Sequence, residues 1–316
     1  MNKRTKGILL GITVGLAWGL DSTLMGVLGK NNIFAGFNSS PLVSAFFHDS
    51  FAFFWIAITL IFSKQLKGSF QLLKTKKGKA AAVAALVGAP VGMSAYLLAI
   101  KYATAPYASS ISVIYPGVGA VLSYLLLKEK LSKRAALGIF ISLLGSFMLG
   151  FKPSGDIPST FGTGIIFALL AVLGWASEGV IIGFAMKHIK NEDHIQAAPQ
   201  QFLCLRYFIS MITYAFIVVP LSGGFPVAIQ VIKTGLFIKF GIVAILGAIT
   251  YLCWYKAVDL IGAAMGTALN STAALWTIVF SILFFGSPAN LHLIIWGIVI
   301  VAGVFIFAIE PKKKRK

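Results

Sequence analysis

Ten apolar stretches constrain the fold of this chain more than any other feature of its sequence. Each is about 17 to 25 residues long, the length that a helix needs to cross a bilayer. Because lipid offers the backbone no hydrogen-bond partners, such stretches cross the membrane as helices. The predicted spans are Ile8–Leu28, Leu42–Phe62, Ala80–Ile100, Tyr107–Leu127, Ala135–Phe151, Gly162–Met186, Phe202–Leu221, Phe237–Tyr255, Ala263–Phe285 and Leu291–Ile309. The sequence therefore predicts an all-α membrane protein with ten transmembrane helices.

Composition and charge exclude several other classes of protein. Of the 316 residues, 58% are hydrophobic and only 11% are charged, whereas about a quarter of the residues in soluble domains are charged. A net charge of +18 would suggest nucleic acid as the partner of a soluble chain, but here Lys and Arg lie between apolar stretches. We therefore expect no nucleic-acid partner. Cys204 and Cys253 lack the spacing of a metal site, and no metal or cofactor is expected.

The loops that hold the basic residues predict the orientation of the chain. With the N-terminus in the cytoplasm, most of the 27 Lys and Arg lie on the cytoplasmic side, chiefly in segments 1–7, 63–79, 128–134 and 312–316. By the positive-inside rule, both termini are cytoplasmic and the protein lies in the inner (cytoplasmic) membrane. The first apolar segment carries Asp21 and no small-residue cleavage site follows it. We interpret it as a retained helix and not as a signal peptide.

Two sets of residues recur along the chain and predict an internal repeat. The tetrapeptide Trp18-Gly19-Leu20-Asp21 is matched by Trp175-Ala176-Ser177-Glu178, and Gly92, Tyr96 and Lys101 are matched by Gly247, Tyr251 and Lys256. We expect two five-helix halves, residues 1–152 and 153–316. An odd number of spans inverts the second half, and inverted repeats bind substrate near the bilayer midplane. Chance similarity between apolar helices is the alternative.

Acids inside the predicted spans are candidate functional residues. In each tetrapeptide the ring and the carboxylate lie three residues apart, so they share a helix face. Burying a carboxylate at membrane depth costs free energy, so such a residue normally faces a cavity or a partner. The alternative is that Asp21 and Glu178 extend to the membrane–water interface or pair with a buried lysine. His48 lies beside Asp49, a pair that can relay a proton or simply fix the position of the helix.

Aromatic residues near these acids predict a cation site. Ring faces and negative charge together attract cations, above all quaternary ammonium groups. Tyr115 precedes Pro116 in mid-span, where its hydroxyl would lack a partner in lipid, so we expect it to point inward. Tyr251 and Tyr255 are four residues apart and share a helix face. The alternative for these two is the belt of aromatic residues at the membrane–water interface. The predicted substrate-binding residues are Trp18, Asp21, Tyr96, Tyr115, Trp175, Glu178, Tyr251 and Tyr255, and the candidate proton carriers are Glu178, His48 and Asp49.

Small residues at every fourth position line one face of the first span. They are Gly7, Gly11, Gly15 and Gly19. Glycines at this spacing let a second helix approach closely. Because Trp18 lies on about the same side, it should point into the bundle.

Several motifs resemble a known family. They are His48-Asp49, the stretch Gly88–Met93, the stretch Ala108–Pro116, Trp175–Glu178, Tyr251-Leu252 with Tyr255, and Trp276-Thr277. Over essentially the whole chain the sequence resembles the drug/metabolite transporter superfamily in its EamA-type ten-helix form, and within it the Lic-type bacterial choline transporters. The resemblance implies import of choline coupled to protons. It also implies a cation site formed by Trp18, Tyr115, Trp175, Glu178, Tyr251 and Tyr255. Asp21 departs from the family, where a neutral residue is expected, so choline and a cation that tolerates a second carboxylate both stay open.

These observations together favour a secondary transporter and not an enzyme. The expected partners are a choline-like cation and membrane lipid, and both a monomer and a homodimer are compatible with the sequence. No glycine-rich phosphate loop is present, which argues against an ATP-driven pump. The alternatives are an exporter of amino acids or other small metabolites, a membrane-embedded enzyme that uses His48 and Asp49, and a structural subunit without a cavity.

Overall fold

The computed structural model describes residues 2–103, 108, 111–150, 159–187, 198–286 and 291–308. Within these ranges the regular secondary structure is helical throughout. The helices are α1 (Lys3–Leu28), α2 (Ser40–Phe62), α3 (Leu66–Leu72), α4 (Lys76–Leu86), α5 (Gly92–Ala103), α6 (Tyr115–Leu127), α7 (Lys133–Gly150), α8 (Phe161–Lys187), α9 (Pro199–Thr213), α10 (Phe225–Lys233), α11 (Leu236–Ile261), α12 (Ala263–Ala268), α13 (Ala273–Phe285) and α14 (Leu291–Ala308).

Seven helical stretches of the described chain have the length and hydropathy of a bilayer span. They are Lys3–Leu28, Ser40–Phe62, Lys76–Ala103, Phe161–Lys187, Pro199–Leu221, Leu236–Ile261 and Ala263–Phe284. Two further apolar helices, Tyr115–Leu127 and Ile294–Ile306, are shorter. The protein is therefore an all-helical, multi-pass membrane protein.

The helix boundaries differ from the prediction in two kinds of place. The short helices α3 and α10 lie in segments that were predicted as loops. The segment Lys256–Gly262 was predicted as a joint, but α11 continues to Ile261 because residues 256–261 include no Pro or Gly. It ends at Gly262, whose φ of 97° is rarely accessible to other residues. The predicted boundaries at Tyr107, Phe151 and Ile309 lie outside the described residues.

Prolines interrupt the helices close to the centre of the bundle. Pro90 lies in a π-helical turn, Val87–Val91, that joins α4 to α5. Pro116 lies in the first turn of α6, where the missing N–H of proline leaves no bond unmade. A second π-helical turn, Tyr214–Val218, follows α9. Because π-turns widen a helix locally and frequently mark functional sites, these interruptions are relevant to the cavity that they border.

The glycine face of α1 provides its closest packing. α1 packs against α11 and α13. Along this face Gly7 lies against Ile261, Gly11 against Leu269, Gly15 against Thr272 and Gly19 against Trp276. This packing fixes the rotation of α1 about its axis, and α1 presents Trp18 and Asp21 to a cavity inside the bundle. Elsewhere α5 packs against α8, and α7 against α14.

We predict that Gly19→Ala destabilises the bundle. A Cβ at Gly19 would lie 2.5 Å from the Cβ of Trp276 and 2.8 Å from the backbone nitrogen of Thr277, so the helices would have to separate. Overpacking of this kind costs about 1–3 kcal/mol. The midpoint of thermal unfolding in detergent should fall for Gly19→Ala and not for the control Gly26→Ala, which would meet nothing within 4 Å. Equal midpoints for the two variants would contradict the packing described.

Candidate functional site

A cavity of about 410 Å³ lies between the helices. This volume is in the range of small-molecule sites, about 300–1,000 Å³. Its lining includes Trp18, Asp21, His48, Asp49, Tyr96, Trp175, Arg206 and Tyr251. Gly29 and Ser40 also line it, so the cavity extends to the end of the bundle where α1 ends and α2 begins.

Charged side chains form a continuous network along one wall of the cavity. Asp21 Oδ1 lies 3.1 Å from His48 Nε2, and His48 Nδ1 lies 3.3 Å from Asp49 Oδ1. Arg206 then donates from Nη1 to Asp49 Oδ2 at 3.0 Å, and from Nε to Glu178 Oε1 at 3.2 Å. The network thus joins residues of α1, α2, α8 and α9, far apart in sequence, through direct contacts.

Arg206 is the centre of this network. Only 3% of the residue is exposed. Its Nη2 donates to the hydroxyl of Tyr251 at 2.8 Å, and the guanidinium lies 4.0 Å from the ring centroid of Tyr251 and 4.6 Å from that of Tyr207. Ion pairs, a hydrogen bond and two ring faces compensate the loss of hydration of a buried cation. The arginine is therefore a fixed positive charge inside the bundle.

The acids of the network outnumber its fixed cation. When Asp21, Asp49 and Glu178 are ionised, their charges exceed that of Arg206 even if His48 is protonated. Glu178 is 1% exposed, and its Oε1 accepts hydrogen bonds from Arg206 and from the Tyr255 hydroxyl. Its Oε2 is buried and has no partner among the described residues. With all three acids ionised the site therefore carries net negative charge, and among the described residues Glu178 Oε2 is an unsatisfied acceptor.

Aromatic rings surround a second, much smaller void beside Glu178. Its volume is about 10 Å³, roughly enough for one water molecule. Its lining consists of Trp18, Tyr115, Trp175, Glu178, Thr250, Tyr251, Trp254 and Asn270. Trp18, Trp175, Thr250 and Tyr251 also line the larger cavity, so the two spaces adjoin. In this conformation a quaternary ammonium group fits the larger cavity and not the small void.

The rings of this region contact one another. Ring centroids lie 6.3 Å apart for Trp18 and Tyr115, 5.7 Å for Tyr115 and Trp175, and 5.4 Å for Trp175 and Tyr96. Tyr115 is buried, and Asn270 Nδ2 donates to its hydroxyl at 2.8 Å. Tyr115 therefore points into the bundle, as the sequence predicts.

The structure brings most of the predicted substrate-binding residues to the two spaces. Trp18, Asp21, Tyr96, Tyr115, Trp175, Glu178 and Tyr251 line one or both of them. Tyr255 differs: it is fully buried, it lines neither space, and its hydroxyl donates to Glu178 at 3.1 Å. Its position suits a residue that orients Glu178 and not one that touches a ligand. The proton candidates His48 and Asp49 line the larger cavity, whereas Ser109 and Ser110 of the family motif lie outside the described residues.

Sequence reasoning missed Arg206 as a functional residue. Arg206 lies near the start of the predicted span Phe202–Leu221, where a basic residue suggests only the membrane interface, but α9 begins at Pro199 and Arg206 is buried inside the bundle. A signal was available, because three acids in apolar stretches require a cation and Arg206 lies in such a stretch itself. What the sequence could not show is that one guanidinium serves two of those acids at once.

The opposite end of the bundle, where α1 begins, is closed by packing around Glu129. Its carboxylate accepts hydrogen bonds from the backbone N–H groups of Ala263 and Ala264 at 3.2 and 3.1 Å, and lies 3.8 Å from Lys187 Nζ. Nearby, Leu127 is 5% exposed and packs toward Gly183. Glu129 thus ties together α8, α12 and the segment after α6 at this end.

The fold and the cavity define a polytopic helical membrane protein with a charged, aromatic-lined chamber that opens toward one end. Comparison with known proteins specifies the class further. The sequence profile of the EamA-like transporter family matches residues 5–151 and again residues 162–309. The chain belongs to this family, whose members are membrane transporters and not enzymes.

Individual relatives agree with this family. The chain is 33% identical over 227 residues to Protein LicB of Haemophilus influenzae, covering 71% of this chain and 73% of that one. It is 23% identical over 272 residues to the uncharacterized transporter YyaM of Bacillus subtilis, covering 84% and 83%. A solved crystal structure is similar with a TM-score of 0.70 at 14% identity, covering 95% of this chain and 96% of that one, which shows the shared fold alone.

We predict that Arg206→Gln strongly destabilises the protein. The substitution would leave Asp49 and Glu178 buried beside a neutral side chain, and an unpaired buried charge costs about 3–5 kcal/mol. The midpoint of thermal unfolding should fall well below that of Arg134→Gln, which removes an exposed arginine. Adding Asp49→Asn to Arg206→Gln should recover part of the loss. A midpoint for Arg206→Gln equal to that of Arg134→Gln would show that the network contributes little.

Proposed function

We propose that the protein is a secondary transporter that imports choline or a related quaternary ammonium cation by alternating access, with proton coupling. The observation that carries this proposal is the excess of buried carboxylate over guanidinium in a chamber lined by aromatic rings. Such a chamber attracts a cation through charge and ring faces without requiring a hydrogen bond to the cation, and a quaternary nitrogen has no hydrogen to donate. The resemblance to Lic-type transporters and the identity to Protein LicB favour choline among such cations.

The proposed path of the cation runs from the larger cavity to the small void. Trp18, Trp175 and Tyr251 line both spaces, so a cation held by these rings can move between them while staying in contact with ring faces. Glu178, whose Oε2 lacks a partner among the described residues, lines the small void and supplies the countercharge. An inside-negative potential favours entry by about 2.3 kcal/mol per 100 mV for each charge. Widening of the small void by ring movement is then part of transport.

Proton coupling is proposed on the histidine that bridges two acids. Neutral His48 carries a hydrogen on one ring nitrogen only, so it can donate to Asp21 or to Asp49, whereas protonated His48 donates to both. We propose that a proton travels with the cation, bound by the His48–Asp49 pair or by Glu178.

The proposed architecture is ten spans arranged as two inverted five-helix halves. One family profile matches residues 5–151 and again residues 162–309, which supports two halves that share a sequence pattern and a fold. Trp18 and Trp175, corresponding positions of the two halves, both line the chamber, as expected for a site at the interface of repeats. We further propose cytoplasmic termini in the inner membrane, on the distribution of Lys and Arg. The open cavity then faces outward.

Uptake of labelled choline into liposomes that contain the purified protein tests the proposal. Trp175→Ala removes a ring of the site, and a desolvated cation–π contact is worth about 2 kcal/mol. Glu178→Gln removes the countercharge of the cation. Each variant should therefore lower choline uptake roughly tenfold or more. Trp296→Ala, a tryptophan outside both spaces, is the matched control. Unimpaired uptake by both site variants would refute the site. Competition by amino acids and none by quaternary ammonium compounds would favour the metabolite exporter instead.

Alternating access also predicts a role for Glu129. Opening the closed end must break its contacts with Ala263, Ala264 and Lys187. Glu129→Gln weakens these by about 1 kcal/mol, which corresponds to roughly a fivefold shift toward the opened form. Leu127→Cys, in a protein without Cys204 and Cys253, places a reporter cysteine at the packed position. Adding Glu129→Gln should increase the rate at which this cysteine reacts with a maleimide by roughly the same factor. The control adds Asp259→Asn, which removes an exposed acid at the end of α11, to the same reporter variant. Equal maleimide rates for the reporter variant alone, with Glu129→Gln and with Asp259→Asn would contradict the proposed role of Glu129.

A further inference from the structure

Asp21 and Trp18 occupy different levels of the cavity on the same helix. They lie three residues apart on α1, a rise of roughly 4.5 Å at 1.5 Å per residue. Trp18 lies at the deep level, because it also lines the small void beside Glu178. Asp21 lies toward the mouth, on the side of Met25 and Gly29, which line only the larger cavity. A single ligand can therefore meet the ring and the carboxylate at different points along its length.

In the part of the chain that the structure describes, one carboxylate oxygen of Asp21 has no hydrogen-bond partner. His48 contacts Oδ1 and leaves Oδ2 unused. The residue is only 8% exposed, and it lines the cavity. A hydrogen-bond donor on a ligand in the cavity can therefore reach this oxygen, and a hydrogen bond to a charged acceptor is among the stronger ones. His48, itself held by Asp49 at 3.3 Å, fixes the direction of the free oxygen.

Glu178 carries the corresponding free acceptor at the deep level. Its Oε2 has no partner among the described residues, and Glu178 itself lines the small void among aromatic rings. The larger cavity and the small void share Trp18, Trp175 and Tyr251. The two spaces therefore present one acid, Glu178, at the small void and a second acid, Asp21, in the larger cavity, about one helical turn of α1 beyond Trp18.

We infer that Asp21, oriented by His48, selects substrates that carry a hydrogen-bond donor near the quaternary nitrogen. The donor is a hydroxyl or a primary ammonium on a linker of a few carbon atoms, short enough to match the rise between Trp18 and Asp21. A carboxylate at that place, as in betaine, meets Asp21 with like charge and is rejected. This inference rests on the proposed function and specifies the substrate class of the same site.

Calorimetric binding to the purified protein tests the inference with two ligands of similar size. Choline carries the hydroxyl, and ethyltrimethylammonium lacks it. Wild-type protein should bind choline about tenfold more tightly, the factor that a charge-assisted hydrogen bond provides. In Asp21→Asn the ratio of the two affinities should fall to about twofold or less, because the loss of one charge affects both ligands and the loss of the bond affects choline alone. Asp259→Asn, which removes an exposed acid, should keep the wild-type ratio.

The outcomes separate this inference from the proposed function. Equal binding of both ligands by wild-type protein, a comparison that needs no variant, overturns the role of Asp21 and leaves the cation site intact. An unchanged tenfold ratio in Asp21→Asn likewise overturns it. Failure of wild-type protein to bind either ligand overturns the proposed function and the inference with it. Binding of ethyltrimethylammonium by Asp21→Asn shows that the variant is folded.

Discussion

The contact of Arg206 with Asp49 and Glu178 is the interaction on which the interior of this protein depends. Three helices, α2, α8 and α9, meet at one guanidinium, at distances of 3.0 and 3.2 Å from the two carboxylates. Removing one partner from such a buried set leaves charge that neither water nor lipid can hydrate. The same contact determines the electrostatics of the cavity, because one fixed cation stabilises several acids without neutralising all of them.

The distribution of rings and acids gives each side of the chamber a different property. Trp18, Tyr115 and Trp175 form a continuous aromatic surface beside Glu178, and this surface suits a cation with no hydrogen to donate. Asp21 and His48 line the larger cavity nearer its mouth. The Tyr255 hydroxyl donates a hydrogen bond to Glu178, although Tyr255 itself lines neither space. Aromatic residues therefore both line the cavity and orient one of its acids. Under the proposed function, recognition of the cation is divided between charge with ring faces at Glu178 and directed hydrogen bonding at Asp21.

The two ends of the bundle differ in how they are held. The end at which α1 finishes contains the cavity mouth, whereas the end at which α1 begins is tied by Glu129 to the backbone of Ala263 and Ala264. Glycines of α1 keep it in close contact with α11 and α13 along much of its length. Alternating access by rocking motion requires helices that move as rigid units and an end that can open. The close packing of α1 would suit the first requirement, and the few polar contacts of Glu129 would suit the second.

Apolar stretches of bilayer length and the rarity of buried charge allowed the sequence by itself to predict an all-helical membrane protein and the charged and aromatic candidates of its cavity, and the resemblance of several motifs predicted its family. Trp18, Asp21, Trp175 and Glu178 were identifiable because a ring and an acid one turn apart in an apolar stretch must face a common interior. Partners across helices were not identifiable, since pairing of Arg206 with Asp49 and Glu178 depends on side-chain positions far apart in the chain. Tertiary structure alone decided that Tyr255 supports Glu178 and does not line the cavity, and that the space beside Glu178 is too small for a quaternary ammonium group in this conformation. The physical reason is that helix formation and burial follow from local composition, whereas contacts and cavities follow from how the helices are arranged in three dimensions.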